Sequence, residues 1–165
     1  MRVLCTCVPG FGHFHPMVPV SLALEAAGHE VAFATEDRFC RRVTRAGFRA
    51  FPAGLGPGKV LERTLALPGA AGPGPEDAWR FGAQMFAGVA APAKVPDLLR
   101  IIHDWGPSLV VTDATDFAGP VAAASAGLPC AAHSLGPRFP LEFYRWSDGL
   151  LAPLWRDRGL APRPL

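Results

Sequence analysis

Five short apolar runs, each separated from the next by a helix-patterned or turn-rich stretch, constrain this chain more than any other feature. Residues 2–8 form a compact apolar run stopped by Pro9 and Gly10, the kind of buried strand a parallel sheet needs. Residues 30–35, 48–51, 108–112 and 129–134 read as four more strands. Residues 16–27 carry Met17, Val20, Leu24 and Ala27 at helical spacing, with Pro16 where a helix tolerates proline and Gly28 where glycine ends one. Residues 37–46 are helical and arginine-rich, closed by Gly47. Residues 52–75 shift to Gly, Pro and Ala, which predicts a long mobile loop. Residues 76–105 are mostly helical, with a break expected at Pro92 or Pro96, and residues 117–126 form a small-residue helix. In the tail, 136–165, the spacing of Phe139, Phe143, Trp146, Leu150, Leu151, Leu154 and Trp155 is again helical.

Strand and helix alternating at this rhythm predict an α/β fold, a doubly wound, Rossmann-like parallel sheet in the order 3-2-1-4-5. The 165 residues are enough for one domain with a real core, covering 1–165. Half of the residues are hydrophobic, which excludes disorder as the main description although Gly and Pro contribute 18 each. The net charge of +2 gives no basic stripe, so nucleic acid is not an expected partner. No apolar run reaches the ~18 residues of a membrane span, and the apolar start is too short for a secretory signal. Cys5, Cys7, Cys40 and Cys130 are too few and scattered for a disulfide framework, so a cytoplasmic protein is expected. Cys5 and Cys7 alternate along one strand face, as small core residues would.

In the 3-2-1-4-5 order, strands one and four are neighbours at the topological switch point, where such sheets bind ligands. Their C-terminal loops are Pro9-Gly10-Phe11-Gly12-His13-Phe14-His15-Pro16 and Asp113-Ala114-Thr115-Asp116-Phe117. The fold therefore brings His13 towards Asp113, a pairing that equips a general base: the carboxylate fixes the tautomer and steadies the imidazolium. His15, against Pro16, reads as structural, and Asp116 as a first-turn acid favoured by the helix dipole. Two other chemistries compete. Gly10-Phe11-Gly12 opens like a dinucleotide fingerprint, with Glu36 or Asp37 as ribose acid, but His15 stands where the third glycine belongs. That would be an NAD-type oxidoreductase. His13, His15, Asp113, Asp116 and His133 could ligate a metal, although their spacing fits no familiar ligand pattern.

Gly12-His13-Phe14-His15-Pro16-Met17, followed by residues 22–35, resembles the N-terminal half of bacterial antibiotic glycosyltransferases of the macrolide type. These are two-Rossmann-domain (GT-B) enzymes, similar to the UDP-glycosyltransferases of plants and animals. Residues 109–113, then Phe117-Ala118-Gly119 and Ala126-Gly127-Leu128-Pro129, continue the resemblance over nearly the whole chain. It implies that His13 deprotonates an acceptor hydroxyl, that Asp113 orients it, and that a sugar passes from a nucleotide sugar with inversion. It implies an apolar small-molecule acceptor, for which Phe11, Gly12, Phe14, Phe86 and Phe139 are the expected contacts, with Trp79, Phe81, Phe143 and Trp146 nearby. No cofactor and no metal are implied beyond the nucleotide-sugar co-substrate. The family's donor half holds the nucleotide sugar through a His-Cys-Gly motif, which does not occur here. The expectation is therefore an acceptor-binding half, a fragment or a shortened protein, inactive without a missing or separate donor domain. A non-catalytic binding or docking module, with the apolar tail as interface, is the alternative, and a homo-oligomer is compatible with either.

Overall fold

A computed structural model describes residues 1–72, 74, 75 and 77–163. Glu76, expected to open the long helical segment, lies outside the described residues. So do Pro73 of the 52–75 segment and residues 164 and 165 of the tail. The strands are β1 (Arg2–Thr6), β2 (Glu30–Thr35), β3 (Arg49–Pro52), β4 (Leu109–Asp113) and β5 (Cys130–His133), all parallel, in the order β3-β2-β1-β4-β5. The expected order is the observed one, because each apolar run is long enough for a buried strand and each intervening segment long enough for a crossover.

The pleat sends alternate side chains to opposite faces. Val3, Cys5 and Cys7 of the first run, with Val31 and Phe33 of β2, face a cluster completed by Phe14, Met17, Val43 and Phe48. Leu4, Ala32, Ala34 and Val110 face the other cluster, built on Val95, Leu98, Val121, Phe143, Leu151 and Trp155. The first face is covered by α2 (Val18–Ala26) and α3 (Asp37–Arg45), which follow α1 (Phe11–Phe14) and a 3₁₀ turn, His15–Met17. Burial pushes the Cys5 thiol up to about 11, as a core thiol inert at neutral pH requires.

Three expectations need correction. The 52–75 segment contains a helix, α4 (Pro57–Leu65), started by Pro57 and held by Val60 and Thr64, which are buried one turn apart. The segment from 78 to 105 is α5 (Ala78–Ala83), a π-helical stretch Gln84–Ala90 and α6 (Ala91–Trp105), and its irregularity precedes both prolines. Pro92 follows directly on the π-helical stretch, in the first turn of α6, and Pro96 is accommodated inside the helix. The 9–16 loop is not open chain but winds into α1 and the 3₁₀ turn. The remaining helices are α7 (Ala118–Ser125) and α8 (Leu141–Arg156), close to the expected 117–126 and tail helices. Among the described residues no helix is long and apolar enough to cross a membrane.

Candidate active site

The C-terminal ends of β1 and β4 are adjacent in register, Thr6 beside Thr112, so the loops that follow them start from the same edge. Gly10 turns the chain into α1, whose first amides, His13 N and Phe14 N, donate to Gly10 O at 3.2 and 3.0 Å. A β-carbon at Gly10 would stand 3.2 Å from His13 Cδ2, so glycine here keeps room for the imidazole. His13 is thereby delivered to the mouth of the β1–β4 crevice.

Its partner is fixed before it arrives. Asp113 closes β4 with a side chain sealed from solvent, and both of its oxygens are bonded. Oδ2 accepts from Val8 N at 2.7 Å, and Oδ1 accepts from Thr115 N at 2.8 Å and from Thr115 Oγ1 at 2.7 Å. His13 Nδ1 lies 3.3 Å from Oδ1 and 3.2 Å from Thr115 Oγ1. Because the Thr115 hydroxyl hydrogen points at Asp113, only acceptors face Nδ1, and the proton of neutral His13 belongs there. Nε2 is left without a hydrogen-bond partner among the described residues, as an acceptor. At 3.3 Å the Nδ1 contact is loose. Burial works against the charge of Asp113, yet the His13 hydrogen bond and charge, with the Thr115 donors, outweigh it and hold the carboxyl below its usual range.

Asp116 corrects the sequence reading most. It is not a first-turn acid: α7 starts after it, and its carboxylate is buried, with Oδ2 accepting from Thr6 Oγ1 at 2.6 Å and from the Lys94 ammonium of α6. Lys94 also donates to Cys7 O at 2.9 Å and Ala34 O at 3.2 Å. Neither Lys94 nor Thr115 was singled out from the sequence. A lysine in a helix reads as solvated, and the one signal was its place among buried Ala91, Val95 and Leu98.

Over this floor lies a cavity of about 210 Å³, mostly apolar, with His13, Thr115, Lys94 and Asp116 on its polar side. Its roof comes from the two corrected segments, Pro57 and Val60 of α4 and Met85 and Phe86 of the π-helical stretch. Phe86 stands with its ring 6.2 Å from that of His13. The other expected contacts lie elsewhere. Phe14 is core, packed edge-on to Phe33 at 5.1 Å. Phe11 is exposed beside His15, Phe39 and Arg42. Gly12 faces open space, and Phe139 packs on Phe143 and Trp79. His29, in the turn before β2, meets the N-terminal amine at 3.4 Å. Glu36, a candidate ribose acid, instead caps α3 by accepting from Phe39 N at 3.1 Å. Among the described residues no group of three or more His, Cys, Asp or Glu is placed to hold a metal ion.

The profile described as "Erythromycin biosynthesis protein CIII-like, N-terminal domain" matches residues 77–148. L-demethylnoviosyl transferase of Streptomyces niveus is 41% identical over 82% of this chain and 35% of its own length. Tylactone mycaminosyltransferase of Streptomyces fradiae is 33% identical over 83% of this chain and 34% of its own. Among solved structures, the Streptomyces sp. SF2575 glycosyltransferase SsfS6, complexed with thymidine diphosphate, superposes with a TM-score of 0.87 at 30% identity, over 100% of this chain and 48% of that one. The chain thus spans about a third of the length of these curated relatives and about half of the solved neighbour.

Proposed function

The chain is a homologue of the N-terminal half of the GT-B antibiotic glycosyltransferases, and on that premise we propose that residues 1–165 form an acceptor-binding domain for sugar transfer to a hydroxyl of an apolar small molecule. The observation that carries the proposal is the His13–Asp113–Thr115 arrangement at the polar side of an otherwise apolar cavity. In this reading His13 Nε2 takes the acceptor proton as the acceptor oxygen attacks the anomeric carbon. The bond from that carbon to the diphosphate oxygen breaks on the opposite face, and the nucleoside diphosphate leaves with the electron pair. Asp113 holds the Nδ1 tautomer and offsets the imidazolium charge. Phe86, Met85 and Val60 supply apolar contact to the acceptor. A cavity of about 210 Å³ encloses one ring and its hydroxyl, and the rest of a larger acceptor extends outwards.

The donor is proposed to be a nucleotide sugar, held by the half of the homologues that this chain does not cover. The proposed setting is the cytoplasm, in keeping with the free thiols of Cys5, Cys7, Cys40 and Cys130. A second reading, a binding module without catalysis, draws on exposed Trp79, Leu141 and Trp146 of α5 and α8. Mass spectrometry of hydroxylated polyketide-like acceptors, incubated with the full-length protein and thymidine diphosphate sugars, separates the two. The proposal expects acceptor mass raised by one sugar residue. Acceptor binding with no transfer under any donor would overturn it in favour of the second reading.

A further inference from the structure

Lys94 is an outlier in the chemistry of this core. Its side chain is 7% exposed, and a lysine so placed persists only when its charge is met. Its three ammonium hydrogens have three acceptors: Cys7 O at the end of β1, Ala34 O near the end of β2, and Asp116 in the loop after β4. The stem is seated with equal care. Gly54, at φ +80°, passes so close that a β-carbon there would stand 3.1 Å from Lys94 Cβ and Cγ. One turn along α6, Asp97 accepts from Gly54 N at 2.9 Å. One helix therefore ties the ends of four strand segments around the crevice.

We infer that Lys94 and Asp116 are a positioning pair for the His13–Asp113 dyad. Lys94 offsets the Asp116 charge, so that among the described residues Asp113 is the buried carboxylate without a cationic partner of its own that His13 meets. The groups around the dyad are few. The loop after β4 gives Asp113, Asp116 and the neutral Thr115; α6 gives Lys94; the π-helical stretch gives Phe86. His133 of β5 stands beside Asp113 in the ladder. Cys7, at the end of β1, stays a neutral thiol because burial pushes its titration far up. With Asp116 unmatched, the crevice would hold two like charges, and the His13 imidazolium would persist to higher pH. With Lys94 unmatched, the imidazolium would be repelled.

The role rests on the reading of His13 as a base, but its test does not. Histidine side-chain NMR titration of the full-length protein reads the His13 midpoint, assigned as the resonance lost in His13→Asn. Asp116→Asn is expected to lower the midpoint and Lys94→Met to raise it, each by about one pH unit, a tenfold change in proton affinity. The double variant Lys94→Met/Asp116→Asn returns it towards the wild-type value. If Lys94→Met fails to fold, Asp116→Asn and the double variant still decide the matter. A midpoint unmoved by Asp116→Asn, or shifted the same way by both single variants, overturns the inference and leaves the pair a structural strut. Opposed shifts together with a transfer rate indifferent to His13 would instead remove the proposed function and leave this coupling standing.

Discussion

Asp113 keeps its charge in a place that by itself would suppress it. Burial raises the cost of the carboxylate, and the His13 contact with the two Thr115 donors outweighs that cost, so the folded protein binds this proton more weakly than the unfolded chain. The sign follows: the stabilisation is fully present above about pH 4, the ordinary carboxylate range, and is lost as pH falls through the lower folded value. Urea midpoints measured at pH 7 and pH 3 should therefore fall less in Asp113→Asn than in the wild type. An equal fall in both proteins would contradict the assignment. Asp113→Asn also removes the charge that offsets the imidazolium and turns one of the two acceptor positions into an NH2 donor, so transfer should drop by a factor of roughly 10² or more. Phe86 is proposed to act differently, by contact alone. Phe86→Ala should raise the acceptor KM about tenfold, the equivalent of ~1.4 kcal/mol of lost apolar contact, with kcat changed little. His13 and Asp113 were legible in the sequence because two loops at a switch point need only the strand order to be brought together. Lys94 was not, because a lysine on a helix reads as solvated and its acceptors lie far away in sequence, Cys7 at 87 positions, and Thr115 was not, because a threonine two residues after Asp113 gives no signal until the loop folds back on the carboxylate.

Two glycines show how tightly individual elements are seated. In α7, a β-carbon at Gly119 would stand 2.7 Å from Thr112 Oγ1 and 2.9 Å from Thr6 Cγ2, so α7 lies directly on β1 and β4 beneath the site. In α8, a β-carbon at Gly149 meets nothing within 4 Å. Gly119→Ala should destabilise by about 1–3 kcal/mol through overpacking, while Gly149→Ala should stabilise by about 0.5–1 kcal/mol as helix propensity improves. Urea unfolding checks both, and like signs would contradict this packing. Element boundaries were most legible at β2, read as 30–35 and found there, whereas β1 ends at Thr6, two residues short of the expected 2–8. The sequence was least legible in α4, whose two buried positions, Val60 and Thr64, are diluted by exposed Leu61 and Leu65 and flanked by Gly and Pro. Of the cavity roof the sequence offered Phe86 alone; Pro57, Val60 and Met85 went unread, because the α4 segment reads as a loop and Met85 is placed by π-helical winding that no 3.6-residue period announces.

At the scale of the molecule, the 3-2-1-4-5 sheet determines where chemistry can occur. Its two faces are closed by apolar clusters, and its carboxyl edge gathers His13, Asp113, Thr115, Asp116 and Lys94 within one crevice. Sheet order was legible because strand and helix alternation leaves few topologies, whereas the acceptor's shape was not, because it depends on the roof. The central claim is that His13 is the base that activates the acceptor. The most direct measurement is the rate of sugar transfer by the full-length protein at saturating acceptor, wild type against His13→Ala. The account predicts a loss of roughly 10²-fold or more in kcat with acceptor binding retained. Transfer at the wild-type rate would contradict it.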